Sequence, residues 1–314
     1  MNLTEKVIRE QFPFWNGALT MPLPKVEGTP IVITGCGTSY YLAQAIAAAF
    51  NAGGRDAIAV PGAEWAGRMQ SYLSNRTGAV VIGLSRSGTT TETIQALRAS
   101  REAGLRTVAI SCENDTPILR EAETAIYLPT HADEGIVMTA SASLMLIAGL
   151  RLAGMTPSGA QAAEAAMKAV EDCGAVLAGR DHFVYLGGGA LYGVASEGCL
   201  KVQEMSLSFS QAFHPLEYRH GPVSLITDRS AVVMLYSDAV EAEAKLVAEL
   251  QAKGAMVIGL GGPGDLSVPL SGGSVEARAT EILPALQMIG ERVANAKSID
   301  TATPRHLTKV VVLA

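Results

Sequence analysis

The chain has 314 residues, of which 48% are hydrophobic and 17% charged, with a formal net charge of −6. This composition can build sizeable cores and excludes a disordered chain, and its length fits two domains. The acidic balance, with no run of Lys or Arg, argues against a nucleic-acid partner.

The elements can be taken in chain order. The opening "MNLTEKVIRE" is charged and has no apolar core of a signal peptide. Its periodicity predicts an amphipathic helix over 3–12, inside an N-terminal helical segment 1–20. The run "IVITG" at 31–35 predicts a buried strand. It leads into "GCGTSYY", where Gly35 and Gly37 close the strand and Thr38 and Ser39 open a helix. Tyr40 occupies the position of the third glycine of a dinucleotide fingerprint, which therefore fails. A second strand, "AVVIGLS" at 79–85, runs into Ser87, Gly88, Thr89, Thr90 and Thr91, followed by a helical pattern. Strands follow at 107–111 and 125–128. The apolar run "SASLMLIAGLRLAGM" is interrupted by Arg151 and is too short to span a bilayer. A helical connection at 155–180 precedes a second strand series at 182–188, 231–237 and 256–260. Continuous apolar strands alternating with helices predict parallel sheets covered on both faces.

The two series align. "GCGTSYYLA" at 35–43 matches "GGGALYGVA" at 187–195, and "AVVIGLS" at 79–85 matches "AVVMLYS" at 231–237, both at an offset of 152. This predicts two copies of one α/β domain: 21–155 and 156–298, with a tail at 299–314. The copies differ after their second strands, "SRSGTTTE" against "SDAVEAEA". The hydroxyl loop is therefore not a requirement of the fold. Helix N-termini beyond the carboxyl ends of parallel strands bind anions, and hydroxyls with a glycine suit a phosphate. The plainer reading is a helix N-cap, for which one hydroxyl is sufficient. The anion reading assigns Thr38, Ser39, Ser85, Arg86, Ser87 and Thr90 to the ligand, with Gly37 and Gly88 allowing close approach.

"GCGTSYYLA", "LSRSGTTTET", "SEGCLKVQEMS", "HPLEYRHGP" and "PRHLTKVV" stand in this order along nearly the whole chain. Together they resemble the tandem sugar-isomerase (SIS) domain family, in particular the isomerase half of glucosamine-6-phosphate synthase and the stand-alone amino-sugar-phosphate deaminases and isomerases. The resemblance implies an α/β fold of two tandem flavodoxin-like (SIS) domains. The synthase's glutaminase domain and its nucleophilic N-terminal Cys have no counterpart here, which fits the stand-alone relatives. Glu204 matches the family's proton-transfer glutamate; Glu197, Lys201 and Glu204 fall on one helical stripe, which could equally be a solvated ion-pair face. His220, after Arg219, matches the ring-opening histidine contributed across a dimer interface. Lys309 matches the lysine near the sugar C2, and the apolar "VVVLA" that follows it predicts a docked tail. Two departures stand out: Arg86 and Thr89 replace a glutamine and a glutamate, and "DEGIVMTASAS" lacks the family's lysine.

The expectation is a cytoplasmic homodimeric enzyme that needs no cofactor or metal and binds neither nucleic acid nor membrane. Its substrate is a sugar phosphate or sulfonate. Its reaction is aldose–ketose isomerisation with ammonia release, of the glucosamine-6-phosphate type. The alternatives are isomerisation without nitrogen chemistry and a non-catalytic sugar-phosphate binder. Four cysteines (Cys36, Cys112, Cys173, Cys199) without CxxC spacing fit a reducing compartment.

Overall fold

The computed structural model describes residues 1–311. Two helices form where one was expected over 3–12: α1 (Leu3–Glu10) and α2 (Phe12–Thr20). Pro13 sits in the first turn of α2, where a missing N–H is harmless; as a continuation of α1 it would break the ladder. The break has a consequence, because the two helices belong to different compact units. Gln11–Pro157, with the tail from Thr308, make the first unit; Met1–Glu10 and Ser158–Leu307 make the second.

The first unit contains β1 (Ile31–Gly35), α3 (Thr38–Ala52), β2 (Ala57–Pro61), α4 (Gly62–Tyr72), β3 (Val80–Leu84), α5 (Thr91–Glu102), β4 (Arg106–Ser111), α6 (Pro117–Glu121), β5 (Thr124–Tyr127) and α7 (Ala140–Leu152). The strands are all parallel, in the order β2-β1-β3-β4-β5. Val32, Val81 and Ala109 pack against Trp65, Leu97 and Ile118 from α4, α5 and α6. Helix α3 packs with α7 instead. Right-handed crossovers from β1 to β2 and from β3 to β4 therefore send the helices α3 and α5 to opposite faces, which opens a crevice between the carboxyl ends of β1 and β3.

The second unit adds α8 (Ala160–Ala169), α9 (Gly174–Leu177), β6 (His182–Gly187), α10 (Ala190–Ser206), β7 (Phe209–Phe213), β8 (Ser230–Leu235), α11 (Val240–Gln251), β9 (Met256–Leu260), β10 (Leu266–Val268) and α12 (Val275–Ala296). Its parallel sheet reads β7-β6-β8-β9-β10, which is the first unit's order repeated. Strands β2 and β7, absent from the sequence reading, start at 57 and 209 and so keep the same offset of 152. Helix α1 is pinned here: Glu5 accepts from Arg9 at 2.8 Å and Arg292 at 2.6 Å, and Asn2 donates to Glu291 at 2.6 Å. Burial would raise the Glu5 pKa, but the two guanidiniums outweigh it and hold the carboxyl below its usual range.

Among the described residues, no helix is long and apolar enough to cross a membrane, and the four cysteines are free thiols.

Candidate active site

The two loops singled out in the first copy follow β1 and β3, so they flank the crevice where the first unit's strand order reverses. Gly37 opens α3 at φ 54° and ψ −127°, a backbone conformation that side chains disfavour. Ser39 and the end of β3 converge on Gly35: a Cβ there would lie 2.7 Å from Ser39 Cβ and 3.1 Å from the Leu84 carbonyl. Thr38, Ser39 and Ser85 are buried.

The hydroxyls are not N-caps. The N-cap residues of α3 and α5, Gly37 and Thr90, make no side-chain capping bond. Ser85 Oγ instead lies 3.1 Å from Thr90 Oγ1 and accepts from the Gly88 N–H at 3.1 Å. Ser87 Oγ accepts from the Thr89 N–H at 3.2 Å and its hydroxyl at 3.1 Å. Gly88, at φ +64°, presses on Thr116, whose Oγ1 would sit 2.1 Å from a Cβ. The result is a turn of preorganised hydroxyls at the start of α5, a geometry suited to an oxyanion.

Arg86 does not extend this turn. Its guanidinium is buried and donates to the carbonyls of Gly135 at 2.7 Å and Lys309 at 2.8 Å. Two of its donors therefore clamp loop and tail, where the sequence reading had aimed the side chain at the ligand. Lys309 itself is 46% exposed, with Nζ 3.8 Å from Glu113. It borders a polar cavity of about 320 Å³ together with Arg86, His131 and Glu134. Glu134, overlooked in the sequence, is buried and accepts from the Thr139 and Ser141 N–H groups at 2.7 and 3.0 Å, capping α7. The signal was available: an acidic residue five positions before Thr139 at a helix start. The expected docking of the tail falls partly on residues 312–314, outside the described residues; Val311 is exposed.

In the second unit, the stripe on α10 is an interior ion cluster. Lys201 and Glu197 are fully buried, with Nζ 3.4 Å from Glu197 Oε1, and Lys201 also donates to Glu204 Oε2. The Glu204 side chain keeps 20% exposure. Burial would lower the Lys201 pKa, but the carboxylates of Glu197 and Glu204 outweigh it and hold the ammonium above its ordinary value. A carboxylate anchored by a buried ammonium and open to solvent on one side is placed to accept a proton from carbon.

His220 is exposed and follows the 3-10 turn Leu216–Arg219. Arg219 is held by Glu249, with two contacts of 3.0 Å. Tyr218 of that turn packs with Val184 and Leu186 of β6 and with Leu246 of α11. Tyr185, whose side chain points to the other face, packs against Gly198 of α10. Helix α10, which carries Glu204, and Tyr218 of the His220 segment thus pack on opposite faces of one sheet. His214, in the same motif and not singled out, packs on Tyr192 with ring centroids 4.1 Å apart and tilted by 34°, and lies 3.3 Å from the Gly187 carbonyl.

Residues 28–153 match the SIS domain model. Over 311 residues the chain is 28% identical to an isomerising glutamine–fructose-6-phosphate aminotransferase of Pyrobaculum aerophilum, covering 90% of this chain and 51% of the relative. A homologue from Halobacterium salinarum is 30% identical over 74% of this chain and 44% of its own length. The chain spans about half the length of the curated relatives it matches. Among solved structures, a glucosamine-6-phosphate deaminase from Thermotoga maritima superposes with a TM-score of 0.84 at 29% identity, covering 99% of this chain and 100% of that one. The fold is also that of a tagatose-6-phosphate ketose/aldose isomerase from Escherichia coli, with a TM-score of 0.79 at 24% identity and coverage of 95% and 93%.

Proposed function

From the premise that this chain is a SIS-domain protein, similar along its length to sugar-phosphate enzymes, we propose that it is a sugar-phosphate isomerase that releases ammonia from an amino sugar phosphate of the glucosamine-6-phosphate type. The observation that carries the catalytic part is Glu204: a partly exposed carboxylate that accepts from Lys201, a lysine with no exposure of its own. The hydroxyl turn of the first unit takes the phosphate, which fixes the register of the sugar carbons. Isomerisation then needs a ring-opening acid and a base at C1–C2, the roles of His220 and Glu204. The base takes the C2 proton and returns it to C1. The C2 amine becomes an imine, water adds to C2, and ammonia leaves with the ketose phosphate as the other product. Lys309 serves the C2 region.

The packing of α10 and the His220 segment on opposite faces of one sheet supports a homodimer in which His220 works on the partner's substrate. A second reading, isomerisation without nitrogen chemistry, is favoured by Lys309 itself. Its Nζ is paired with the Glu113 carboxylate at 3.8 Å, a contact that a reaction without an imine step leaves in place. Incubation with glucosamine 6-phosphate, following ammonia and fructose 6-phosphate, is the deciding assay. Equal release of both supports the deaminase. Interconversion of a neutral aldose and ketose phosphate with no ammonia from any amino sugar phosphate leaves the isomerase. Saturable binding with no turnover of either substrate class leaves a binding protein.

A further inference from the structure

Two lysine or arginine side chains are buried among the described residues, and their surroundings differ. Lys201 lies between two carboxylates, Glu197 and Glu204. Arg86, 5% exposed, has no acid within ion-pair distance among the described residues, and its two bonds go to the neutral carbonyls of Gly135 and Lys309. Those bonds take one N–H from each terminal nitrogen of a group that carries five. An interior charge without a counter-ion is costly, and buried charges are ordinarily paired.

Arg86 lines the polar cavity of about 320 Å³ together with Lys309, Glu113, Tyr127, Thr130 and Glu134. Its volume falls in the range of small-molecule sites, about 300–1,000 Å³. Glu113 follows β4 and Tyr127 ends β5, so the cavity lies beside the carboxyl ends of those strands. Ser39, Ser85, Ser87 and Thr90 do not line it. It is therefore a different place from the hydroxyl turn beside β1 and β3.

We propose that this cavity binds a small molecule through a carboxylate or phosphate group, held between the Arg86 guanidinium and the Lys309 ammonium. A guanidinium fork matches the paired oxygens of either anion. The acids in the wall do not fill that role. Glu134 is engaged by α7: its Oε1 accepts from the Thr139 and Ser141 N–H groups at 2.7 and 3.0 Å, and its Oε2 lies 3.4 Å from the Thr130 hydroxyl. Glu113 is half exposed and stands 3.8 Å from Lys309 Nζ, a weak solvated pair that a bound anion replaces. Cys112, also in the wall, adds no charge, because burial raises its thiol pKa well above the usual value. An oxyanion on the Lys309 ammonium adds a side-chain tie to a residue whose carbonyl Arg86 already holds, and so restrains the tail.

The test is titration of the full-length protein at constant ionic strength with inorganic phosphate and, separately, with malonate. The readouts are the amide shift of Gly135 and hydrogen exchange over residues 308–311. Binding should shift Gly135 saturably and slow exchange in the tail. Lys309→Gln, at a half-exposed position, should raise the midpoint several-fold. Arg86→Gln should raise it by about tenfold or more, the scale of one charge-assisted bond. Where Arg86→Gln does not fold, Arg86→Lys keeps a cation without the fork and should still raise the midpoint. A response to phosphate alone assigns the site to phosphate groups, and one to malonate alone to carboxylates; both sustain the proposal. Removing turn hydroxyls with Ser87→Ala and Thr90→Val should leave the Gly135 response in place. Loss of that response in this variant, no saturable response of wild type to either probe, or a midpoint indifferent to the changes at Arg86 and Lys309 overturns the proposal.

Discussion

Lys201→Met probes the ion cluster on which Glu204 depends. Methionine matches the stem of the lysine and removes the ammonium 3.4 Å from Glu197 Oε1. Glu197 has no exposure, so its carboxylate is left in the interior without its cation, whereas Glu204 retains water contact. Breaking a buried pair from one side costs about 3–5 kcal/mol. For a unit of this size that corresponds to a Tm lower by about 6–20 °C. The pH dependence has a definite sign. In wild type the Lys201 pKa is raised, so its contribution is complete below the unfolded lysine value of about 10.4 and is lost only as pH rises through the folded value. Wild type should therefore show no loss from this pair between about pH 6 and 9. In the variant the stranded carboxylate takes up a proton on folding. Its folded pKa then exceeds its unfolded one, and the variant regains stability as pH falls. Urea unfolding followed by circular dichroism at pH 8 and pH 5 measures both effects. Adding Glu197→Gln to the variant should recover most of the loss at pH 8. A loss below about 1 kcal/mol at pH 8, or the same loss at both pH values, refutes the reasoning.

Glu204→Gln should retain its circular dichroism spectrum and lose about 10²-fold or more in turnover, the scale of a positioned base. Lys309→Ala should slow ammonia release more than C1–C2 proton exchange with solvent, measured by deuterium incorporation; equal effects would remove Lys309 from the C2 step. Arg86→Gln shortens the clamp on the Gly135 and Lys309 carbonyls, each a charge-assisted bond of about 1.5–3 kcal/mol. Hydrogen exchange around residues 305–311 should accelerate at least tenfold, and unchanged exchange would show that the clamp is idle. Mixing inactive His220→Ala with inactive Glu204→Gln subunits should restore part of the activity; hybrids shown to form yet inactive would exclude sharing of His220 between chains.

The sequence by itself determined the elements that depend on local pattern. Apolar strands at β1, β3, β6 and β8 and the 152-residue repeat were legible because buried parallel strands are continuous hydrophobic runs. The short β2 and β7 were not: "AIAVP" ends in a proline, and "FSQAF" is an edge strand with Phe209 exposed. The hydroxyl turn and its loss in the second copy were legible as composition. That its hydroxyls bond one another instead of capping α5 was decided by the tertiary structure. Arg86 is the clearest case of a residue whose identity was informative and whose direction was not. An arginine beside a phosphate-type turn reads as a ligand, but its burial placed its donors on two carbonyls, one of them 223 residues away. The stripe of Glu197, Lys201 and Glu204 followed from helical spacing, which cannot tell a solvated face from a buried one. Packing against α12 settled that. Gly290 there lets α10 approach so closely that a Cβ would lie 3.0 Å from Met205 Sδ and 3.4 Å from Lys201 Cβ. Spacing along a helix is local, whereas exclusion of water from a charge depends on what a distant segment brings against it.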